Sequence, residues 1–307
     1  MAVRETFSGF KAVGRLKDKD LTFESGKFDD GVGYNLVYGK FIISVDEGEY
    51  TCKVYMKDKF AGSEHKTNSK YADVASLQTC VLDTPIEVDI RTNRFDDYIH
   101  KKSGKLVTTD CLNVDRVKIL NEVSDDEKFE GKIEGMITKC IPEFKNEEET
   151  GRLLVELTGV GYNEKALPHS LIVSKEDVDD FNGLYEVGSM STFDVSIQTV
   201  SYGTKSTART GGFGRKVEIN NGYTKVEWLI VGGDDPYDEE SVNNKGEKLY
   251  IDPKEIKTLL EERSVMLEQT LKEGKNKTPK SKGVQSFKAM TQPTDALPFD
   301  DNVNPFL

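Results

Sequence analysis

The chain has 307 residues, which is long enough for two or three domains with separate cores. Its formal net charge is −12. It contains no apolar run that could span a bilayer and no secretory leader, so we expect neither a membrane segment nor export. Three isolated histidines and four dispersed cysteines indicate no metal site, no disulfide framework and a cytoplasmic, reducing location.

The first predicted unit, residues 1–125, reads as strand, strand, strand, helix, strand, strand. Alternation of apolar and polar residues predicts its strands at 10–16, 41–45, 50–57, 86–92 and 114–120, and a short helix at 71–77. Gly14 would let the first strand bend over a small barrel. We interpret residues 18–38 as a long loop or irregular hairpin, and residues 91–105 as a loop.

The second predicted unit, residues 126–250, repeats this order. Its strands are predicted at 132–140, 152–158, within 162–173, at 193–199 and at 225–231, with a helix at 175–181. Four segments of the first unit are similar to segments of the second, in the same order: 39–45 to 151–157, 73–77 to 177–181, 86–92 to 193–199, and 115–120 to 224–229. This conserved order predicts a tandem duplication.

An amphipathic helix at 251–273 is predicted to follow the acidic connector at 234–247. Asp252 suits the N-cap and Pro253 the first helical position. One apolar stripe runs along the helix, formed by Ile256, Leu259, Leu260, Met266, Leu267 and Leu271. It can pack on the second unit or form a dimer. Apolar residues become sparse after Gly274, so the tail at 274–307 is predicted to be disordered.

Five strands with one helix between the third and fourth predict an OB-fold barrel in each unit. We therefore expect a mainly β chain of two tandem five-stranded OB-fold barrels, a C-terminal helix and a disordered tail. A pair of β-sandwiches is the alternative, but the low strand number and the single helix in each unit favour barrels.

Two stretches without acidic residues, 98–105 and 200–216, contrast with the negative net charge. Both lie between the fourth and fifth strands, in a loop through which OB-folds bind oligonucleotides. Cations can follow a phosphate backbone while aromatic rings stack on unpaired bases. The candidate single-stranded DNA-binding residues of the two loops are Arg91, Arg94, Phe95, Tyr98, Lys101, Lys102 and Lys105, and Tyr202, Lys205, Arg209, Phe213, Arg215 and Lys216. A mobile glycine-rich loop is the alternative for 200–216.

The predicted strand at 50–57 has two chemically different faces. Alternation places Lys53, Tyr55 and Lys57 on one face, opposite Cys52, Val54 and Met56. The first three side chains suit contact with nucleic acid, and a solvated outer face is the alternative. The matching hairpin of the second unit carries fewer rings, so we expect the first unit to bind more strongly there.

Motifs for catalysis are missing from the sequence. There is no phosphate-binding G-x-x-x-x-G-K-[ST] motif and no G-x-S-x-G elbow, and the glycines at 211–214 lack the strand–helix context of a dinucleotide site. The acids at 147–149 fit a solvated turn. We therefore expect no enzymatic activity, no cofactor and no bound metal.

The last residues resemble the acidic tip, ending in Pro-Phe, of bacterial single-stranded DNA-binding proteins. Segment 300–306 reads Asp-Asp-Asn-Val-Asn-Pro-Phe, and 297–300 is a weaker second copy. Two barrels followed by such a tail are similar to the single-stranded DNA-binding proteins of bacteriophages. The resemblance implies recruitment of replication and recombination proteins through Phe299, Asp300, Asp301, Pro305, Phe306 and Leu307. Leu307 departs from the pattern because it follows the phenylalanine that is terminal in the family.

These features predict a non-enzymatic protein that coats and protects single-stranded DNA in replication, recombination and repair. It would act in the cytoplasm of a bacterium or a phage-infected host, without a membrane partner. Two tethered barrels would raise the local concentration of binding sites on one strand. The oligomeric state stays open, with a monomer favoured. The alternatives are an adaptor that holds a polymerase or helicase, and an RNA-binding protein.

Overall fold

The computed structural model describes residues 3–46, 48–62, 64–92, 95–99, 106–110, 112–122, 127–145, 147–202, 205–209, 216–220 and 223–276. For residues 95–98, 108–110, 201–202, 205–209, 216–220, 223–224 and 273–276 it describes the backbone alone. The described chain is mainly β, as predicted. Within it, no helix has the length and apolar composition needed to cross a bilayer.

The first half contains seven strands and one α-helix within its described residues. These are β1 (Ser8–Lys27), β2 (Gly33–Val45), β3 (Gly48–Lys57), α1 (Lys70–Ala75), β4 (Pro85–Arg91), β5 (Phe95–Ile99), β6 (Leu106–Asp110) and β7 (Asn113–Ile119). The second half continues with β8 (Lys128–Lys145), β9 (Glu148–Gly161), β10 (Lys165–Val173), α2 (Val178–Leu184), β11 (Met190–Tyr202), β12 (Lys205–Arg209), β13 (Lys216–Asn220), β14 (Tyr223–Gly233) and α3 (Pro253–Asn276).

Five strands of the first half close a circuit of backbone pairing, which we call unit one. The order is β1-β2-β3-β7-β4 and back to β1, with β3 and β7 parallel and the other neighbours antiparallel. Unit two repeats it as β8-β9-β10-β14-β11, with β10 and β14 parallel. This order, with a helix between the third and fourth strands, is that of the OB-fold.

The similar sequence segments occupy equivalent places in the two circuits. They fall on β2 and β9, on α1 and the start of α2, on β4 and β11, and on β7 and β14. The strand order inferred from the repeat is therefore the order of the structure, while the domain limits at 125 and 250 stay predictions.

The stretch at 18–38, interpreted as a loop or irregular hairpin, is a regular hairpin. β1 and β2 pair from Arg15↔Ser44 to Lys27↔Gly33, with one register shift between Leu16 and Asp18. In the second half of β1, half-buried Leu21 and Phe23 pack against the core, but no residue beyond Leu16 is fully buried, so the apolar alternation is short. The predicted loop at 91–105 likewise contains β5, which pairs with β6.

Gly14 lies where β1 passes close to β2. A Cβ atom built on Gly14 would lie 2.1 Å from the carbonyl oxygen of Ser44, which is closer than any side chain allows. Unit one therefore requires glycine here for the close approach of two backbones.

The two units are docked directly on each other. β1 pairs with β8 from Ser8↔Ile133 to Val13↔Lys128, on the edge that β4 leaves open. Phe10 of unit one packs edge-on against Phe129 and against Trp228 of unit two, with ring centroids 5.9 and 5.1 Å apart. The strand edges and apolar faces of the two units therefore join in one core, a contact that the sequence did not predict.

Helix α3 begins as predicted, since Asp252 accepts a hydrogen bond from the backbone N–H of Lys254 at 2.8 Å. Ile256 and Leu259 are buried against unit two, which confirms the predicted packing for the first turns. Farther along, Met266 is 38% exposed, and the helix backbone approaches β5 of unit one. The helix therefore extends from one unit to the other, which the apolar stripe did not reveal.

Lys19 caps the short 3-10 helix at Ser76–Gln78 that follows α1. Its ammonium group donates hydrogen bonds to the carbonyl oxygens of Leu77, Gln78 and Cys80 at 2.7, 2.8 and 2.5 Å. These carbonyls end a helix and lack partners within it. The positive charge of Lys19 therefore has a structural role in unit one.

We expect Lys19→Met to lower the free energy of unfolding by about 1.5–3 kcal/mol, the range for hydrogen bonds to charged groups. Urea unfolding measures this difference. Lys17→Met is the matched control, because Lys17 forms a single exposed ion pair with Asp83, worth less than about 1 kcal/mol. Equal losses in the two variants would contradict the capping role.

Candidate nucleic-acid interface

The β2–β3 surface of unit one presents paired rings and paired cations. Tyr38 lies opposite Tyr55 and Lys40 opposite Lys53 in the register of the two strands. Tyr55 is 53% exposed, whereas Cys52 on the other face is fully buried. The predicted division of this strand into an outer and a core face is confirmed. We call Tyr38, Lys40, Lys53 and Tyr55 the outer face.

The outer face is not uniformly cationic. Glu24 of β1 accepts a hydrogen bond from the Tyr38 hydroxyl at 2.7 Å, and this hydrogen bond raises the pKa of Tyr38, which favours the neutral phenol. Asp20 lies opposite Lys40 in the β1–β2 register. A ligand on this face therefore meets aromatic rings and cations with carboxylates along one side.

A ring cluster that the sequence did not reveal lies at the tip of the β1–β2 hairpin. The ammonium group of Lys57 stands 4.0 Å from the ring centre of Tyr34 and 4.8 Å from that of Phe28. His65 stacks on Phe28 with centroids 4.5 Å apart. Lys57, predicted beside Lys53 and Tyr55, thus belongs to this cluster. We call Phe28, Tyr34, Lys57 and His65 the ring cluster.

The histidine of the ring cluster is held by a carboxylate. His65 Nε2 lies 2.5 Å from Asp30 Oδ2, and this hydrogen bond lowers the pKa of Asp30. His65 follows β3 by eight positions in a connecting segment, so only the tertiary fold brings it to the hairpin tip. The rings in 18–38 were visible in the sequence, but their partners were not.

The loop of unit one that follows β4 ends beside the outer face. The Lys53 backbone N–H donates to the Leu112 carbonyl at 2.8 Å, which fixes the end of this loop next to β3. Arg91 is 60% exposed in its side chain, and its Nε lies 3.7 Å from Asp115, which also binds Lys70. The charge of Arg91 is therefore partly balanced by a neighbouring carboxylate.

The structure places the remaining candidates of this loop only in part. Phe95 and Tyr98 lie on β5, with their backbone described. The other four candidates lie outside the described residues: Arg94, Lys101, Lys102 and Lys105.

The matching face of unit two has its arginine bound by carboxylates. Arg152 Nε lies 2.7 Å from Glu143, and Arg152 Nη1 lies 3.0 Å from Glu227, whose side chain is fully buried. Burial acts to raise the pKa of Glu143, but hydrogen bonds from Arg152 and Thr150 outweigh it and lower that pKa. Arg152 therefore has a structural role, which agrees with the expectation of weaker binding at this face.

The cationic hairpin of unit two is described through its backbone. Tyr202 ends β11, Lys205 and Arg209 lie on β12, and Lys216 begins β13. Arg209 and Lys216 are paired in register. The other candidates lie outside the described residues: Phe213 and Arg215 of the hairpin, and Phe299, Asp300, Asp301, Pro305, Phe306 and Leu307 of the tail.

Strand β11, which leads to this hairpin, contacts β3 of unit one. The Tyr50 hydroxyl of β3 donates to the carbonyl of Ile197 in β11 at 2.9 Å. The cationic hairpin of unit two (the second cationic hairpin) thus extends from a contact near the start of β3, the strand that carries Lys53 and Tyr55. The predicted binding elements of the two units are joined through this contact.

The acidic, histidine and cysteine side chains offer no second site for chemistry among the described residues. Across the part of the chain that the structure describes, no three His, Cys, Asp or Glu side chains are arranged to hold a metal ion. Cys52 is buried and free, and burial raises the pKa of its thiol to about 12, so the nucleophilic thiolate is scarce near neutral pH.

The chain is similar to one protein family and, distantly, to solved structures. A family model described as YorF matches residues 9–274. No curated protein matches the sequence.

Two structures of the single-stranded DNA binding protein from Thermus aquaticus are similar to the chain. The wild-type Thermus aquaticus protein aligns with this chain with a TM-score of 0.42 and 9% identity. A deletion mutant of the same protein aligns with a TM-score of 0.41 and 8% identity. Each alignment covers 78% of this chain and 98% of the other. A similarity of this size does not establish a shared activity.

Proposed function

The chain belongs to the YorF family, and we propose that it binds single-stranded DNA across both units without strong sequence preference. The observation that carries the proposal is the outer face of unit one. Tyr38 and Tyr55 stand side by side on β2 and β3, with Lys40 and Lys53 as the next pair along the strands. Rings stack on unpaired bases of any identity, and lysines neutralise phosphates, so neither contact requires a sequence.

The surroundings of the outer face support the same ligand. The face of strands two and three is a surface through which OB-folds bind oligonucleotides. The ring cluster lies at one end of it, on the hairpin joining the first two strands, and the loop after β4 ends beside Lys53. The second cationic hairpin starts from the contact at Tyr50. These elements provide rings and cations along one connected set of strands.

We further propose that the protein is not an enzyme and that it protects DNA strands during replication, recombination or repair in the cytoplasm. The acidic tail would recruit other proteins through its terminal Pro305, Phe306 and Leu307. Deleting the tail is expected to leave DNA binding intact or to strengthen it. If this deletion abolishes the main activity of the protein, the adaptor function is favoured instead.

Titration of fluorescent dT oligonucleotides tests the binding proposal. Affinity is expected to fall linearly with salt on logarithmic axes, because bound phosphates release counterions. Contact with about six phosphates of a single strand would lower affinity by roughly three hundredfold between about 50 and 200 mM salt. Absence of binding at low salt, or a preference for duplex, would reject the proposal. Tighter binding of matched RNA would redirect it to RNA.

A further inference from the structure

The two units contact each other closely at four residues. These are Gly48 and Tyr50 of unit one, and Ile197 and Thr199 of unit two. We call these four residues the seam. Tyr50 is 3% exposed, its hydroxyl donates to the Ile197 carbonyl at 2.9 Å, and its ring packs edge-on against Phe129 at 4.8 Å. The side chain of Tyr50 is thus fixed both by a buried hydrogen bond and by an aromatic contact.

Gly48 allows the two units to approach each other closely at the seam. Its φ is +149°, and a Cβ atom built on it would lie 2.1 Å from Thr199 Oγ1. Only a residue without a side chain allows the turn before β3 to approach β11 this closely. The seam therefore depends on two specific residues of unit one, Gly48 and Tyr50.

The binding elements of both units extend from the seam. Lys53 lies three positions after Tyr50 on β3, or about 10 Å along an extended strand. Tyr202 lies five positions after Ile197 on β11, or roughly 17 Å along it. A displacement at the seam would therefore change the relative position of the outer face and the second cationic hairpin.

We infer that the seam makes the two units one binding footprint of fixed geometry, with Tyr50 as a positioning residue that does not touch DNA. This inference rests on the proposed function. In a footprint of fixed geometry, a strand that reaches both units gains affinity because the second contact is already in place once the first has formed. If the seam loosens, this gain falls while each unit keeps its own contacts.

Tyr50→Phe tests the inference, because it removes the hydroxyl and keeps the ring. Affinity is measured for dT oligonucleotides of about 8 and about 24 nucleotides, lengths chosen to reach one unit or both. We expect the variant to reduce the affinity ratio of the long to the short oligonucleotide by about tenfold. Affinity for the short oligonucleotide should stay at the wild-type value.

Tyr185→Phe is the matched control. Tyr185 is also buried, and its hydroxyl donates to the backbone carbonyl of Asp234 at 2.7 Å, away from the seam. The Tyr185→Phe variant loses the same kind of hydrogen bond as Tyr50→Phe, so a general loss of stability would affect both variants alike. The ratio of affinities should change in Tyr50→Phe alone.

Gly48→Ala provides a second, stronger perturbation of the seam. Fluorescence of Trp228, the chain's single tryptophan, reports on docking of the units because its ring packs against Phe10 of unit one. An unchanged affinity ratio in both seam variants would overturn the inference even when the protein binds DNA. If the wild-type protein binds neither oligonucleotide, the proposed function itself fails.

Discussion

Replacing Arg152 by methionine is expected to lower the free energy of unfolding by about 3–5 kcal/mol, as for other buried ion pairs that lose one partner. Arg152 binds Glu227, whose side chain is fully buried, and Glu143, which is 16% exposed. Without the guanidinium group, the Glu227 carboxylate stays buried without its counter-charge. Urea unfolding at neutral pH measures the loss.

Arg116→Met is the matched control, since Arg116 forms an ion pair with Asp73 in which both side chains are about half exposed. Its loss is expected to be less than about 1 kcal/mol. Adding Glu227→Gln to the Arg152 variant should restore part of the stability, because it removes the buried negative charge that the guanidinium group had bound. If the double variant is as unstable as the single one, the loss comes from packing.

The same network predicts a dependence on pH. The pKa of Glu143 is lower in the folded protein than its ordinary value of 4.5, so its stabilising contribution is complete above that pH. The contribution is lost as the pH falls through the folded pKa. The acid-induced loss of stability should therefore be less steep in Arg152→Met than in the wild-type protein.

Replacing Tyr55 by alanine is expected to weaken binding of dT oligonucleotides by roughly tenfold to a hundredfold, the loss of one stacked base. Because Tyr55 is 53% exposed, the stability of the protein should change little. Fluorescence titration measures the affinity, and urea unfolding checks the fold.

Tyr162→Ala is the control for Tyr55, since Tyr162 is 66% exposed in the turn between β9 and β10 of unit two. It should bind DNA as the wild-type protein does. Comparing Phe213→Ala with Tyr55→Ala ranks the contributions of the two units to DNA affinity. We expect Phe213→Ala to weaken binding less than Tyr55→Ala does. Equal affinity of Tyr55→Ala and the wild-type protein would remove the outer face from the binding site.

The internal repeat and the period-two alternation predicted the strand order of both units and the outward direction of Tyr55. These features are local. A strand with one face on a core requires alternating residues, and a duplicated chain repeats its elements in the same order. The hairpin arm at 18–38 was missed as regular strand because the apolar alternation in β1 beyond Leu16 is short and its inner residues are only half-buried.

The tertiary structure alone decided which charges and rings act together. The sequence could not show that Arg152 is bound by Glu143 and Glu227, or that Lys57 lies over aromatic rings, because these partners are distant in the chain. The same holds for the seam, where Tyr50 and Ile197 are 147 positions apart. Composition and spacing determined the elements and their chemistry, but contacts between elements depend on how strand edges and apolar faces pack, which no local pattern records.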